Sequence, residues 1–183
     1  KMKLGLMTHT LSDDKQRAEL EELRLLHQRM LDETRNIITE LSPPVLEEHD
    51  MQTAAEWLIS HFREKHSLDI TYEQELGRKE IAFPLRRFLF RTLKELLLNV
   101  VQHAETTEVL VRIEAGSEEI SLEVADSGVG FDARTLDQTE GFGLFSLRER
   151  VEALGGTLGV ESDPGRGTRV IVSIPQAASS TEK

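Results

Sequence analysis

Between Leu20 and Leu41, the positions Leu20, Leu23, His27, Met30, Thr34, Ile37 and Leu41 advance by alternating steps of three and four, a seam period of about 3.5. That spacing predicts a long helix packed against another. A shorter apolar segment, KMKLGLMTHTL, precedes it, and the polar run Ser12-Asp-Asp-Lys-Gln16 reads as the turn of an antiparallel hairpin, with Ser12 or Asp13 as helix cap. Ser42-Pro43-Pro44 stops the hairpin, because two prolines remove backbone donors and bias the residue before them away from helix. A domain boundary is expected there. Beyond it, Ala55, Leu58, Ile59 and Phe62 share one face of a helix expected over Gln52 to Lys65, and Leu68, Ile70 and Tyr72 alternate as a strand. Pro84 opens a helix expected to reach about His103. Val109/Val111/Ile113 and Ile120/Leu122/Val124 alternate as two strands joined through Ala115-Gly116-Ser117 as a hairpin. A helix from Leu144 to Leu154 is closed by Gly155-Gly156, and Leu158/Val160 and Val170/Val172/Ile174 form the last two strands, connected through Asp163-Pro-Gly-Arg-Gly167. This order predicts an α+β fold, a two-layer α/β sandwich with helices on one face of a mixed sheet, preceded by the helical hairpin. Residues 1–45 are expected to form the hairpin, 46–176 the sandwich, and 177–183 a disordered tail.

Composition narrows the function more than the fold. Among 183 residues, 33 are acidic and 22 basic, and the net charge of −11 argues against general electrostatic attraction to nucleic acid or anionic lipid. It leaves room for a local phosphate site. Without cysteine there is no disulfide framework and no thiolate metal site. No run approaches the roughly 18 consecutive apolar residues of a membrane span.

Two features carry candidate chemistry. The helical stretch ELLLNVVQHA is apolar on most sides, yet Glu95, Asn99 and His103 recur at steps of four, which drift only about 40° around an α-helix and so line one stripe. Its flanking leucines and valines make a plain solvated edge a poor account of Asn99. Glycine is the second feature: nine of the 12 glycines fall between Gly128 and Gly167, so backbone freedom is concentrated in a few loops. Asp126-Ser-Gly-Val-Gly130 follows a strand, Gly141-Phe-Gly143 precedes a helix, and Gly165-Arg-Gly167-Thr168 enters the last strand. A glycine-flanked helix N-terminus presents free N–H groups and a positive dipole end, suited to phosphate. Each cluster alone is equally well explained as a tight turn; their order and context are more specific.

In order, ELLLNVVQHA, DSGVG, GFGL and GRGT resemble the nucleotide-binding boxes of the Bergerat-fold (GHKL) ATPases and kinases, the group of gyrase, heat-shock ATPases and sensor histidine kinases. Leu41-Ser-Pro-Pro-Val-Leu46 resembles the junction after the second dimerisation helix in sensor histidine kinases of the nitrate-sensor subfamily, and Gly143-Leu-Phe-Ser-Leu-Arg-Glu-Arg150 is similar to that subfamily's helix after the lid. The resemblance covers about residues 1–175. It implies an ATP-dependent protein-histidine kinase of a two-component system, with ATP and Mg²⁺ as cofactors. It also implies a homodimer through the hairpin, a response regulator as partner, and a cytoplasmic location whether or not the parent protein is anchored in a membrane. Nucleic acid and membrane contact by this part of the chain are not expected.

Carried over by position, Asn99 ligates the Mg²⁺ on the ATP phosphates and Glu95 acts through metal-bound water or on the phosphoryl acceptor. An amide and a carboxylate suit a hard ion that keeps most of its waters. Asp126 accepts from the adenine amino group with support from Thr168, Gly128 and Gly130 let the loop approach the base, and His103 walls the pocket. Residues Phe131 to Gly141 form a short lid, while Gly141, Gly143 and the amides up to Leu144 face the phosphates. Two departures stand out. The family's His-Asp or His-Glu box is expected upstream of Lys1, so the chain as given should bind ATP without carrying its own acceptor; His49-Asp50 lies after the double proline, in the junction, and His27 sits in the helical seam. Gln102 occupies a position where the family usually places a phosphate-reaching lysine or arginine. The alternatives are a nucleotide-binding dimeric interaction module without kinase activity and a serine kinase of the anti-sigma type, against which the LSPPVL junction and the hairpin both speak.

Overall fold

The computed structural model describes residue 46 and residues 48–77, 81–133 and 142–176. The expected hairpin with His9 and His27, the lid from residue 134 through Gly141, and the tail over 177–183 lie outside the described residues. The chain divides into two units, Lys1–Pro44 and Val45–Lys183.

Helix α1 spans Met51–His66 and starts where the Asp50 carboxylate accepts a hydrogen bond from the Thr53 N–H at 2.8 Å, an N-cap that satisfies one of the helix's orphan donors. Its buried stripe is Met51, Ala54, Ala55, Leu58, Ile59 and Phe62. Strand β1, Asp69–Glu75, follows, and then helix α2, Phe83–Asn99, in which Pro84 occupies the first turn, where a missing N–H costs nothing. Leu85, Leu89, Phe90, Leu93, Leu96 and Leu97 bury the α2 face that packs on the sheet. Strands β2, Glu108–Ala115, and β3, Glu119–Asp126, form the expected hairpin, closed by the Gly116 N–H donating to the Glu119 carbonyl at 2.9 Å. Helix α3, Phe142–Ala153, ends as Gly155 turns to a φ of +73° and the Gly156 N–H bonds the Val151 carbonyl at 2.9 Å. Strands β4, Thr157–Ser162, and β5, Thr168–Pro175, complete a five-stranded sheet in the order β1-β2-β3-β5-β4. Only β1 and β2 run parallel, with α2 in their crossover, so the sheet is mixed and the α+β sandwich is as expected. No helix among the described residues is long and apolar enough to cross a membrane.

One expectation fails. The helix that opens at Phe83 does not stay α-helical to His103: it ends at Asn99, and Val100–Ala104 forms a π-helical segment closed by Glu105 in the left-handed region, φ 55°. A π turn bonds i to i+5, so each residue advances less around the axis than in an α-helix. Four such steps come closer to a full turn than in an α-helix, so the π segment does not carry His103 away from Glu95 and Asn99; His103 is exposed, and the other two are half-buried.

The sheet's helix-free face carries alternating charges across all five strands: Glu73, Arg112, Glu123, Arg169 and Glu161. Arg112 contacts Glu73 at 2.7 Å and Glu123 at 3.3 Å, and Arg169 contacts Glu123 at 2.7 Å and Glu161 at 3.3 Å. Glu123 is buried between the two arginines, and the hydrogen bond from Arg169, ahead of Arg112's charge, holds its carboxyl below the ordinary 4.5 against the opposing effect of burial. A folded pKa below the unfolded one gives a contribution present above pH 4.5 and lost as pH falls through the folded value. Glu123→Gln should therefore remove part of the acid-side loss of stability, measured as a smaller difference between urea midpoints at pH 7 and pH 4. Its cost at pH 7 is about 1 kcal/mol, because both arginines are half-exposed and solvent screens their charge.

Candidate functional site

The core-facing side of the sheet turns polar at one end. Register places Val109 opposite Asp126, Asp126 opposite Thr168, and Thr168 opposite Ser162. Paired residues share a face, so these four form the rung beyond Val111, Val124, Val170 and Val160. Apolar side chains that seal the core thus give way to a carboxylate and two hydroxyls. Asp126 is fixed before any ligand arrives: its Oδ1 accepts from the Gly128 N–H at 2.9 Å and the Thr168 N–H at 3.3 Å. Its Oδ2 has no hydrogen bond among the described residues.

The glycines around this rung have a packing role within the chain. A Cβ on Gly128 would lie 2.1 Å from the Ala104 carbonyl oxygen, and one on Gly130, whose φ is +57°, would lie 2.2 Å from that of Asp163. A Cβ on Gly167, at φ +78°, would lie 2.0 Å from the Asp126 carbonyl oxygen. Protein backbone fills the space in all three cases. The loops are joined by the Val129 N–H on the Ala104 carbonyl at 2.9 Å and the Gly165 N–H on the Val129 carbonyl at 2.6 Å. Gly128, Gly130 and Gly167 therefore fasten the Asp126 loop to the end of the π segment and to the turn before β5, which sets Asp126 relative to the helix that carries Asn99.

On that helix, Asn99 is half-buried and its carboxamide has no hydrogen bond among the described residues. Glu95, one turn earlier, accepts from Arg150 Nη2 at 2.6 Å, and its Oε1 lies 3.6 Å from where a Cβ on Gly143 would stand. Glu95 thus sits against the first turn of α3, whose free N–H groups favour negative charge. A cleft of about 270 Å³ beside it is lined by Arg87, Arg91 and Arg150 as well as Glu95. The stripe read from sequence therefore extends toward the helix start, since Arg87 and Arg91 stand at the same steps of four; that signal was present and missed. Arg150 and Ser162 were also missed, and their roles depend on contacts with residues distant in sequence or on a neighbouring strand, which no local pattern encodes. Leu144 is half-buried and Gly143 exposed in the first turn of α3, Gln102 is exposed in the π segment, and Gly141 is outside the described residues.

The donor set suits Mg²⁺ bound together with phosphates rather than by protein alone. No group of three or more His, Cys, Asp or Glu side chains among the described residues could hold a metal ion. An unpaired amide with one neighbouring carboxylate matches an ion that takes few protein ligands and keeps waters and phosphate oxygens.

Residues 85–178 match the family described as histidine kinase-, DNA gyrase B-, and HSP90-like ATPase. The oxygen sensor histidine kinase NreB of Staphylococcus carnosus (strain TM300) is 28% identical over 147 residues, which cover 80% of this chain and 42% of that protein. The chain thus spans less than half the length of this relative. Among solved structures, the histidine kinase domain from the Erythrobacter litoralis EL346 blue-light activated histidine kinase superposes with a TM-score of 0.60 at 16% identity, covering 98% of this chain and 95% of that one. The Erythrobacter litoralis EL346 blue-light activated histidine kinase itself matches with a TM-score of 0.53 at 21% identity over 67% of this chain and 41% of that chain. Both likenesses are of fold.

Proposed function

This chain belongs to the histidine kinase-, DNA gyrase B- and HSP90-like ATPase family, and we propose that it is the catalytic part of a sensor histidine kinase, transferring the ATP γ-phosphate to a histidine for relay to a response regulator. The observation that carries the reading is the polar rung Asp126-Thr168-Ser162 at the open end of the core, fastened through Gly128 to the helix that presents Asn99 and Glu95.

In this reading the base lies against the rung, with its amino group on Asp126 Oδ2, and the phosphates run toward Asn99 and the start of α3. Asn99 and, through water, Glu95 would hold Mg²⁺, which when bound neutralises phosphate charge during transfer. Gly143 and Leu144 contribute first-turn N–H groups of α3 to the phosphates. Arg150, held beside Glu95, and Arg91 supply positive charge at the cleft next to Glu95. Dimerisation through the segment before Pro43 and a response-regulator partner belong to the same proposal.

The test is transfer itself. ATP labelled on its γ-phosphate is mixed with Mg²⁺, this chain and a helical hairpin bearing the acceptor histidine. The expected result is acid-labile, base-stable label on histidine. Saturable ATP binding with no label on any histidine would reduce the protein to a nucleotide-binding module.

A further inference from the structure

We propose that Ser162 is a positioning residue for base recognition: it fixes the Thr168 hydroxyl as a hydrogen-bond acceptor, so that Asp126 and Thr168 together favour a base bearing an amino group over one bearing a carbonyl. This rests on the base lying against the Asp126 rung, as proposed above. Ser162 Oγ makes three contacts. It donates to the Gly167 carbonyl at 3.0 Å, accepts from the Phe131 N–H at 2.9 Å, and lies 3.0 Å from Thr168 Oγ1.

A serine hydroxyl has one proton and two lone pairs. With the proton on Gly167 and one lone pair taken by Phe131, the remaining lone pair can only accept, so the proton in the Ser162–Thr168 contact comes from Thr168. Thr168 is left with lone pairs alone, and no donor reaches them among the described residues. Its backbone N–H is already committed to Asp126 Oδ1 at 3.3 Å. The rung therefore offers acceptors on both Asp126 and Thr168. Without the Ser162 hydroxyl, the Thr168 O–H is released and can rotate to donate, either to Asp126 or to a carbonyl on the base. The same hydroxyl holds Phe131, where the expected lid begins, so one side chain links base recognition to the start of that segment.

The measurement is the ratio of dissociation constants for ATP and inosine triphosphate, which carries a carbonyl in place of the adenine amino group. The parent should prefer ATP. Ser162→Ala should reduce that preference about fivefold, the effect of one hydrogen bond changing sense, and Ser162→Thr, which keeps a hydroxyl, should restore it. A residue that merely braced the turn would weaken both nucleotides alike and leave the ratio unmoved. If Ser162→Ala loses cooperative thermal unfolding, Ser162→Cys, similar in size but a weak hydrogen-bonding group, is read in its place. A parent that discriminates beside a variant with an unchanged ratio overturns the role of Ser162; a parent that does not discriminate overturns the placement of the base itself.

Discussion

Asp126→Asn should fold with the parent's thermal midpoint and bind ATP about 100-fold more weakly. The carboxylate oxygen Oδ1 accepts from two backbone N–H groups, of Gly128 and Thr168. An asparagine must keep its carbonyl oxygen there, because its amide nitrogen would meet two donors with a donor. The NH₂ group is then forced into the place of Oδ2, the side proposed to receive the base's amino group, so a charge-assisted bond becomes a donor facing a donor. Losing a hydrogen bond to a charged group is worth about 1.5 to 3 kcal/mol, and burying two opposed donors adds to it. Asp126→Ala removes both oxygens, so it should lose the loop anchor as well and unfold at lower temperature. Calorimetric titration beside thermal unfolding separates the two effects.

Gly167→Ala should destabilise the domain by about 3 kcal/mol or more, read from urea unfolding. Two penalties coincide: φ is +78°, and the new Cβ would stand 2.0 Å from the Asp126 carbonyl oxygen and 3.1 Å from Ser127 Cα. Neither neighbour is a flexible side chain, so relief requires parting β3 from the entry of β5. Gly165 has the same φ, +78°, with nothing within 4 Å of its Cβ. Gly165→Ala should cost only the left-handed backbone term, about 1 to 2 kcal/mol. The difference between the two variants measures the loop packing that fixes Asp126.

The fold was legible because each element carries a clear period and clear ends. Val109, Val111 and Ile113 alternate, Pro84 and Gly155 punctuate, and the Leu85 to Leu97 stripe follows the helix repeat. The π segment was not legible, because over the five residues of VVQHA an i+5 ladder differs from an i+4 ladder by one position, and the apolar and polar residues suit either. The Asp126 and Gly167 clusters were found by composition, but only coordinates reveal that backbone fills the space where a Cβ on Gly128, Gly130 or Gly167 would stand. Ser162 is an ordinary strand-end serine in sequence, and its importance arises from standing opposite Thr168. Arg150 and Glu95 are 55 residues apart and meet only once α3 is placed.

Mg²⁺-ATP binding at Asn99 is tested most directly by calorimetric titration of the chain and of Asn99→Ala with ATP, with and without Mg²⁺. The predicted result is saturable one-to-one binding by the parent that Mg²⁺ strengthens, and by Asn99→Ala only a weak binding that Mg²⁺ does not change. Parent and variant binding Mg²⁺-ATP equally tightly, or no saturable binding by the parent, would contradict it.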